Sequence, residues 1–313
     1  MSSLLVLNAP RQLGYEEQPD QALKSGEVRV RTLYSGISAG TEMTIYRGTN
    51  VYMHKRWDAD RRLFLPGEAS SWEYPIRNLG YEEVGEVVEV AADINDIQPG
   101  MLVYGTWNHR TSAVIPADYA RQRQMPAGAE PIFGIFSHIG AVALNGIHDA
   151  HIRIGDTVAV FGLGVLGQIV LQGAVRSGAR VIGVDLHPAR LQKARENGAW
   201  QTLNPSIDKV AEAVKDLTEG RGADVVIEVT GAISALNEAI RAAAYSSRVV
   251  AMGFFQGDAS GLILGEEFHH NRINLVCSQI SGVSPELSVT QPPTPEEQRI
   301  LHEIDPLGLV LGK

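Results

Sequence analysis

A glycine-rich turn carries the clearest chemistry in this sequence. It follows the apolar, β-branched run Val158–Phe161 and has the spacing G-x-G-x-x-G at Gly162, Gly164 and Gly167. The first glycine permits a tight strand-to-helix turn, the second lets the backbone approach a pyrophosphate, and the third lets the helix pack closely on the strand. A strand, these glycines and a helix in this order predict a bound dinucleotide, whereas glycines alone also fit a turn that binds nothing.

The residues after the glycines indicate which dinucleotide is bound. Val165 and Leu166 lie between Gly164 and Gly167, and the helix-like segment that follows has free N–H groups that favour phosphate oxygens. Asp185 ends the next apolar strand, about 20 residues past the glycines, where a carboxylate accepts the ribose hydroxyls and repels a 2′-phosphate. Arg190 follows Asp185 closely enough to weaken that discrimination. The sequence therefore predicts NAD as the cofactor and leaves NADP open.

Composition limits the classes of partner. The chain has 313 residues, which predicts two domains, and a net charge of -9, which disfavours nucleic acid and anionic membranes as partners. A single cysteine, Cys277, excludes an internal disulfide framework and suits a reducing compartment. The apolar run Ser3–Leu7 is too short for a signal-peptide core and has no basic flank. We therefore expect a cytoplasmic protein that binds a small-molecule substrate, no nucleic acid and no membrane.

The pattern of the chain changes once, near residue 125. Residues 1–125 contain short alternating strands such as Glu27–Arg31 and Val84–Val90, which are typical of an antiparallel, barrel-like domain. Residues 126–285 alternate strands and helices, which predicts an α/β domain with a doubly wound parallel sheet, and residues 286–313 form an atypical tail. The predicted strands are Val158–Phe161, Val181–Val184, Thr202–Leu203, Val225–Val229, Val249–Met252 and Asn274–Cys277, and the predicted helices are Gln168–Arg176, Pro188–Asn197, Ile207–Thr218 and Ile233–Ala244.

Four segments carry a family resemblance, namely Gly36–Glu42, Gly80–Val87, Gly155–Thr157 and Val229–Gly231. In this combination they resemble the medium-chain dehydrogenase/reductase superfamily, the alcohol-dehydrogenase-like enzymes. The resemblance implies a GroES-like, β-rich N-terminal domain, a Rossmann domain and an NAD(P)-dependent alcohol dehydrogenase activity. Through the Ser38–Glu42 form of the first segment and through Ala143–Ala150, the chain is similar to the branch related to bacteriochlorophyllide dehydrogenase.

The resemblance also has implications outside the glycine turn. Thr230 and Gly253 end the strands expected beside the cofactor and border the nicotinamide in the family pattern. Family members are dimers or tetramers, so a homo-oligomer is expected. They also return to the first domain after the parallel sheet, whereas residues 286–313 match nothing in that pattern. If the chain does not return to the first domain, an apolar face of that domain is left uncovered. Three alternatives are open for this segment: a variant fold, a truncated product, or an enzyme completed by oligomerisation.

The family's zinc-ligand positions hold other residue types in this chain. Zinc members have a cysteine before the Gly-Thr of the first motif, a histidine in the second motif and a further ligand before the glycine turn. Here the three positions are Ala39 (or Ser38, depending on where an extra residue is placed), Tyr81 and Ser137. Catalytic zinc requires thiolate, imidazole or carboxylate ligands, so we expect no metal. A weaker site built from Glu82, His138 and a further group is the alternative.

Without a metal, a hydroxyl or imidazole must polarise the substrate oxygen and pass its proton. Tyr81 is the first candidate because it replaces a zinc ligand, although an aromatic ring packed into the vacant site fits almost as well. Thr41 matches the family's proton-relay hydroxyl, and a helix-start hydroxyl is the alternative. Glu82 can tune either group, or only hold a neighbouring backbone group or arginine. For His109, which follows a strand, a surface or packing role is favoured over proton transfer.

These observations predict a zinc-independent, NAD-preferring oxidoreductase that transfers a hydride between nicotinamide and a secondary alcohol or ketone. An NADPH-dependent quinone or enoyl reductase is the alternative enzyme, because reduction of an activated C=C bond needs no strong acid at the carbonyl. A non-catalytic dinucleotide-binding protein is the third alternative, because the zinc ligands of the family are replaced.

Overall fold

The described part of the chain forms two compact units. The computed structural model describes residues 1–67 and 70–279. The first unit is Met1–Ile139, and the second begins at Gly140 and takes in the remaining described residues. The tail 286–313 and the last residues of the domain predicted over 126–285 lie outside the described residues. The predicted boundary at residue 125 stays a prediction.

The first unit is built from antiparallel strands. Its strands are β1 (Ser2–Ala9), β2 (Gln12–Gln18), β3 (Glu27–Ser35), β4 (Arg56–Asp58), β5 (Leu63–Leu65), β6 (Glu83–Val90), β7 (Leu102–Gly105) and β8 (Ser112–Pro116), with helices α1 (Thr41–Arg47) and α2 (Ala117–Gln122) and 3-10 turns Val51–Met53 and Pro131–Ile135. Four strands form a sheet in the order β7-β6-β3-β8, while β1 pairs with β2 and β4 with β5. Each of these pairings is antiparallel. The inward-facing Val28, Val30 and Val87 have no exposed surface, as the alternating pattern of these strands requires.

The second unit is a parallel sheet with connecting helices. Its strands are β9 (Thr157–Phe161), β10 (Arg180–Val184), β11 (Gln201–Leu203), β12 (Ala223–Glu228), β13 (Ala243–Ala251) and β14 (Asn274–Cys277), and the helices that precede or connect them are α3 (Phe136–Ala150), α4 (Val165–Arg176), α5 (Pro188–Glu196), α6 (Val210–Leu217) and α7 (Ile233–Ala242), with an irregular helical turn at Leu264–Phe268. The strand order is β11-β10-β9-β12-β13-β14, and every pairing in it is parallel. Two half-sheets thus start from the neighbouring strands β9 and β12, which is the doubly wound order of dinucleotide-binding folds. The predicted α/β fold class is confirmed.

Strand β13 starts earlier than the sequence predicts. Ala243 and Ala244 are predicted as the end of helix α7, yet the helix ends at Ala242 and both alanines belong to β13. Ala243 pairs in parallel with Ala223, and both residues are fully buried. Alanine favours a helix by intrinsic propensity, so the helical prediction is wrong here because sheet pairing and burial outweigh that preference.

The central parallel strands bring four turns to one edge of the sheet. Strands β10, β9, β12 and β13 are successive neighbours, and parallel strands all end at the same edge. Predicted cofactor residues follow each strand directly or after one residue, and these are Gly162, Asp185, Thr230 and Gly253. The strand order therefore makes neighbours of residues that are far apart in the sequence.

One helix of the described residues is long and apolar enough to cross a membrane by length and composition alone. This helix, Pro131–Ala150, joins a 3-10 turn to α3. A single such helix is weak evidence, because core helices of globular domains pass the same test. Within it, the buried Asn145 donates hydrogen bonds to Asp149 at 3.0 Å and to Ser278 at 3.2 Å, which is polar packing of a folded domain.

Candidate active site

The glycine turn combines close packing with one open position. Gly162 has a φ of +91°, a left-handed conformation that favours glycine, and its N–H donates to the Val184 carbonyl at 2.8 Å. A Cβ on Gly167 would lie 1.8 Å from the carbonyl oxygen of Gly162, so only glycine permits this approach of helix to strand. A Cβ on Gly164 would meet no atom of the described chain within 4 Å. Gly164 therefore leaves space where a pyrophosphate can approach the backbone.

Helix α4 begins directly at this open position. Gly164 is its N-cap residue, and no side chain caps the first turn. Val165 is exposed and Leu166 is half-buried. The first-turn N–H groups of a helix have no partner within the helix, and the helix dipole favours an anion beside them. The open space and the uncapped helix start fit the pyrophosphate of a dinucleotide.

Asp185 links the glycine turn to the end of the next strand. Its carboxylate is nearly buried, and its two oxygens accept the backbone N–H groups of Leu163 and His187, each at 2.8 Å. The Arg190 guanidinium lies 3.4 Å from one of the oxygens. Oδ2 accepts from both Leu163 and Arg190, whereas Oδ1 accepts only from His187 and has a second lone pair for a ribose hydroxyl. The negative charge opposes a 2′-phosphate. Arg190 partly offsets that charge.

Thr230 packs against the glycine turn, and Gly253 packs against Gly231, the residue after Thr230. A Cβ on Gly162 would lie 2.5 Å from the methyl carbon of Thr230, so these two turns are in contact. A Cβ on Gly253 would lie 2.1 Å from the backbone nitrogen of Gly231, so the next turn packs equally closely. The structure thus brings the predicted cofactor residues of the second unit to one edge of its sheet.

In the first unit, Tyr81 lies in a buried cluster of hydroxyl groups beside helix α1. Its ring packs edge-on against His138, with ring centroids 5.0 Å apart. Burial raises the pKa of Tyr81 well above its usual range, and hydrogen bonds with Ser38 and Thr41 oppose that rise. Tyr81 therefore stays protonated at neutral pH, where it donates a hydrogen bond and does not accept a proton. Polarisation of a substrate oxygen and aromatic packing both remain compatible with this placement.

Thr41 is the first residue of helix α1, but it does not occupy the N-cap position. Gly40 is the N-cap residue and makes no side-chain capping bond. The Thr41 hydroxyl hydrogen-bonds Tyr81 instead. This contact joins two of the residues that the sequence predicts to act together.

Glu82 is a buried carboxylate with an unpaired acceptor atom. It is 7% exposed, and among the residues that the structure describes its Oε1 has no hydrogen-bond partner. A Cβ on Gly36 would lie 2.7 Å from the other oxygen, so the carboxylate packs against a glycine. Burial, followed by repulsion from Glu42 and Glu83, raises the pKa of Glu82 to about 7. Glu82 can therefore exchange a proton near neutral pH.

His109 connects two further glutamates in a buried polar network. Its Nε2 lies 2.7 Å from Glu42 Oε1, and its Nδ1 lies 2.6 Å from the Ser35 hydroxyl, which also donates to Glu83 at 3.0 Å. Burial opposes the charged imidazolium, but the hydrogen bond and the charge of Glu42 prevail and raise the pKa of His109. His109 is therefore not a surface residue, and its packing is polar rather than apolar.

Sequence reasoning missed Glu42, Glu83 and Glu228, which are all buried. A signal existed for two of them. Glu83 lies four positions before the core residue Val87 on the same face of strand β6, so a carboxylate occupies an inward position. Glu228 ends a strand whose other residues are apolar apart from Asp224. For Glu42 no local pattern distinguishes it from a solvated helix residue.

The family's zinc-ligand positions do not offer zinc donors here. Those positions hold Ala39 or Ser38, Tyr81 and Ser137. The hydroxyls of Ser38 and Tyr81 hydrogen-bond each other, and the neighbouring His138 packs its ring against Tyr81. Within residues 1–67 and 70–279, no group of three or more His, Cys, Asp or Glu side chains is arranged to hold a metal ion. The residues at these three positions therefore do not supply the thiolate, imidazole or carboxylate donors that a catalytic zinc takes.

Known proteins share this fold and sequence pattern. A family model described as zinc-binding dehydrogenase matches residues 165–288. The D-guloside 3-dehydrogenase of Shigella flexneri is 34% identical over 280 residues, which cover 88% of this chain and 80% of that protein. The structure of a putative zinc-binding dehydrogenase from Sinorhizobium meliloti 1021, bound to NADP, has a TM-score of 0.72 at 21% identity. The match covers 99% of this chain and 90% of that chain. The structure of a short chain alcohol dehydrogenase from Escherichia coli CFT073, complexed with NADH, has a TM-score of 0.68 at 21% identity. That match covers 99% of this chain and 89% of that chain.

The fold and these relatives define an NAD(P)-dependent, alcohol-dehydrogenase-like oxidoreductase. The chain belongs to the medium-chain dehydrogenase/reductase superfamily, as its sequence motifs predict. The narrower resemblance to bacteriochlorophyllide dehydrogenase, the cytoplasmic location and the homo-oligomeric state stay predictions.

Proposed function

We propose that this protein is a zinc-independent oxidoreductase that prefers NAD and transfers a hydride between nicotinamide and a secondary alcohol or ketone. The observation that carries the proposal is the buried Glu82 carboxylate. Its Oε1 has no partner among the described residues, and its pKa is raised to about 7. A group of this kind can take the proton that alcohol oxidation releases, so no metal-bound water or alkoxide is needed.

In the oxidation direction, the substrate O–H proton passes to the Glu82 carboxylate while a hydride leaves the carbon that bears the oxygen. Bound NAD(P) supplies the hydride acceptor. Tyr81 stays protonated and donates a hydrogen bond to the substrate oxygen. Thr41 orients the Tyr81 hydroxyl through the hydrogen bond between them. In the reduction direction, the protonated Glu82 returns its proton to the oxygen, so the same three side chains serve both directions.

The substrate class follows from the reaction and from one relative. The Shigella flexneri protein is named for position 3 of a guloside, and a ring hydroxyl at that position is a secondary alcohol. We therefore include polyols and glycosides with simple secondary alcohols in the candidate substrates. The preference for NAD rests on the Asp185 carboxylate, which meets the ribose hydroxyls in the family pattern and opposes a 2′-phosphate.

The first expected result concerns the reaction and its cofactor. The purified protein is expected to turn over at least one secondary alcohol or glycoside, with a lower KM for NAD than for NADP. Asp185→Ala is expected to weaken NADH binding by roughly tenfold or more, because a ribose acceptor and a backbone anchor are both lost. Initial rates with both cofactors and fluorescence titrations of NADH measure these quantities. Asp208→Ala is the matched control, since Asp208 accepts the N–H of Asn204 at 2.7 Å after the neighbouring strand.

Two outcomes contradict this proposal. Reduction of quinones or enones with NADPH, without turnover of any alcohol or ketone, assigns the protein to the C=C reductases. NADH binding without turnover in a panel of alcohols, ketones, glycosides and enones assigns it to non-catalytic dinucleotide-binding proteins.

A second expected result concerns the metal. Protein purified without added metal is expected to contain far less than one zinc ion per chain, and treatment with a chelator is expected to leave its activity unchanged. The reason is the donor set, because Ser38, Tyr81 and Ser137 offer hydroxyls where zinc binds thiolate or imidazole. Elemental analysis and rates before and after chelation measure both quantities. Stoichiometric zinc in active protein contradicts zinc independence.

A further inference from the structure

Glu228 is a fully buried carboxylate that has no role in the proposed proton transfer. It ends strand β12 and is 0% exposed. Its Oε1 accepts the backbone N–H of Thr230 at 2.7 Å and also the Thr230 hydroxyl, while its Oε2 accepts the N–H of Gly231 at 3.2 Å. Burial raises the pKa of Glu228, and these hydrogen bonds oppose that rise. A buried carboxylate is costly unless it is hydrogen-bonded, and here the partners all lie in one turn.

The turn held by Glu228 contacts the turns on both sides of it. On one side, the Thr230 methyl group packs so closely against Gly162 that a Cβ on Gly162 would lie only 2.5 Å from it. On the other side, a Cβ on Gly253 would lie 2.1 Å from the Gly231 nitrogen and 2.6 Å from Oε2 of Glu228. The backbone carbonyl of Glu228 also accepts the N–H of Gly253 at 3.1 Å. Glu228 thus contacts the turns that follow β12 and β13, and the Thr230 that it holds packs against the turn that follows β9.

We propose that Glu228 is a positioning residue for the dinucleotide, whose carboxylate holds Thr230 and Gly231 in place against the glycine turn. The inference rests on the proposed function, because the nicotinamide end of the cofactor is expected beside these turns. A glycine in the turn, Gly231, has little intrinsic preference for a single conformation. A carboxylate that accepts three hydrogen bonds from one turn supplies that preference, and it does so from within the core.

Strand β12 contains a matched carboxylate at its opposite end. Asp224 Oδ2 accepts the backbone N–H of Thr157 at 2.8 Å, and its other oxygen pairs with Arg221. Asp224 therefore also bridges β12 and β9 by accepting a backbone N–H, but at the amino edge of the sheet. Loss of Asp224 affects the stability of the same pair of strands without touching the turns at the carboxyl edge.

The test compares Glu228→Gln with Asp224→Asn in the full-length protein. An amide has a single acceptor oxygen, so one N–H of the 230–231 turn faces an amide N–H₂ in Glu228→Gln. We expect the Kd and KM for NADH to rise roughly tenfold or more, with a smaller change in the KM for the carbonyl substrate. In Asp224→Asn the Kd for NADH is expected to stay within about twofold of the parent. Thermal unfolding of both variants shows whether stability and cofactor affinity change separately.

Parent-like NADH binding in folded Glu228→Gln overturns the inference, as does an equal loss of affinity in Asp224→Asn. If Glu228→Gln does not fold, Glu228→Asp takes its place, because it keeps the charge but shortens the side chain. Glu228→Asp is expected to weaken NADH binding by a smaller factor, and unchanged binding overturns the inference. A parent protein that binds NADH but oxidises no alcohol contradicts the proposed function instead, and the binding titrations still decide the role of Glu228.

Discussion

Gly167→Ala is expected to destabilise the second unit by about 3 kcal/mol or more, which is at the upper end for overpacked cores. The added Cβ would lie 1.8 Å from the carbonyl oxygen of Gly162 and 2.8 Å from its carbonyl carbon. Both are backbone atoms, so relief requires helix α4 to move away from strand β9. Denaturant unfolding followed by circular dichroism measures the loss, and NADH binding is expected to disappear with it.

Gly164→Ala is expected to separate cofactor binding from folding. Its Cβ meets no described atom within 4 Å, and its φ of -66° suits alanine. Replacing an N-cap glycine by alanine costs about 1 kcal/mol, so the variant folds. The methyl group fills the space where the pyrophosphate approaches, and we expect roughly 100-fold weaker NADH binding.

Gly173→Ala is the control for both variants because Gly173 lies in the same helix. A Cβ there would meet only the side chain of Ile147, at 3.0 Å. Stability and NADH affinity are expected to stay close to those of the parent. If Gly164→Ala binds NADH as well as Gly173→Ala does, the glycine turn is not the pyrophosphate site. If Gly167→Ala unfolds like the parent, the close approach of helix and strand is not a constraint on stability.

Glu82→Gln is expected to lower kcat by about 10²- to 10⁴-fold, the usual contribution of a positioned general base. Burial and the neighbouring glutamates raise the pKa of Glu82 to about 7. The carboxylate is the form that accepts a proton, so the rate of alcohol oxidation by the parent rises with pH through about 7. In the ketone-reduction direction the protonated form is active, and the rate falls over the same range. Glu82→Gln is expected to remove both pH dependences.

The variants Glu83→Gln and His109→Asn test whether Glu82 or a titrating neighbour causes the pH dependence. Both oxygens of Glu83 are hydrogen-bonded, to the Trp107 N–H at 2.9 Å and to the Ser35 hydroxyl at 3.0 Å. Loss of its charge reduces the repulsion on Glu82, so the pH dependence of Glu83→Gln is expected to move to lower pH. His109 lowers the pKa of Glu82 by its positive charge, so the pH dependence of His109→Asn is expected to move to higher pH. A pH dependence that survives in Glu82→Gln but vanishes in His109→Asn assigns the proton to the His109–Glu42 pair instead.

The cofactor half of the candidate site is predictable because it is local in sequence. Gly162, Gly164 and Gly167 lie within one turn and one helix start, and their conformational demands follow from their spacing. Asp185 ends the next strand of the same βαβ unit, whose handedness and packing are nearly invariant. Thr230 and Gly253 required the family resemblance, since only the strand order of the sheet makes them neighbours of the glycine turn.

The proton-handling half is not predictable from spacing, because its members come from distant segments. Glu42 and His109 are separated by 67 positions, and no local pattern links them. Tyr81 and Glu82 are singled out by the motif that contains them, but their ionisation depends on burial and on the charges of Glu42 and Glu83. A motif names the residue types and leaves their pKa values undetermined.

The sequence by itself determined the family, the alternation of strands and helices that predicts a parallel sheet, and the turn that accommodates a dinucleotide. Each of these is read from residues that lie close along the chain. The tertiary structure decided that the pKa of Tyr81 rises above its ordinary value, that the pKa of Glu82 is raised to about 7, and that Glu228 holds the turn at Thr230 and Gly231. These properties depend on removal from water and on neighbours brought together by folding. Their physical cause is the free energy of a buried charge, which changes with every group packed around it.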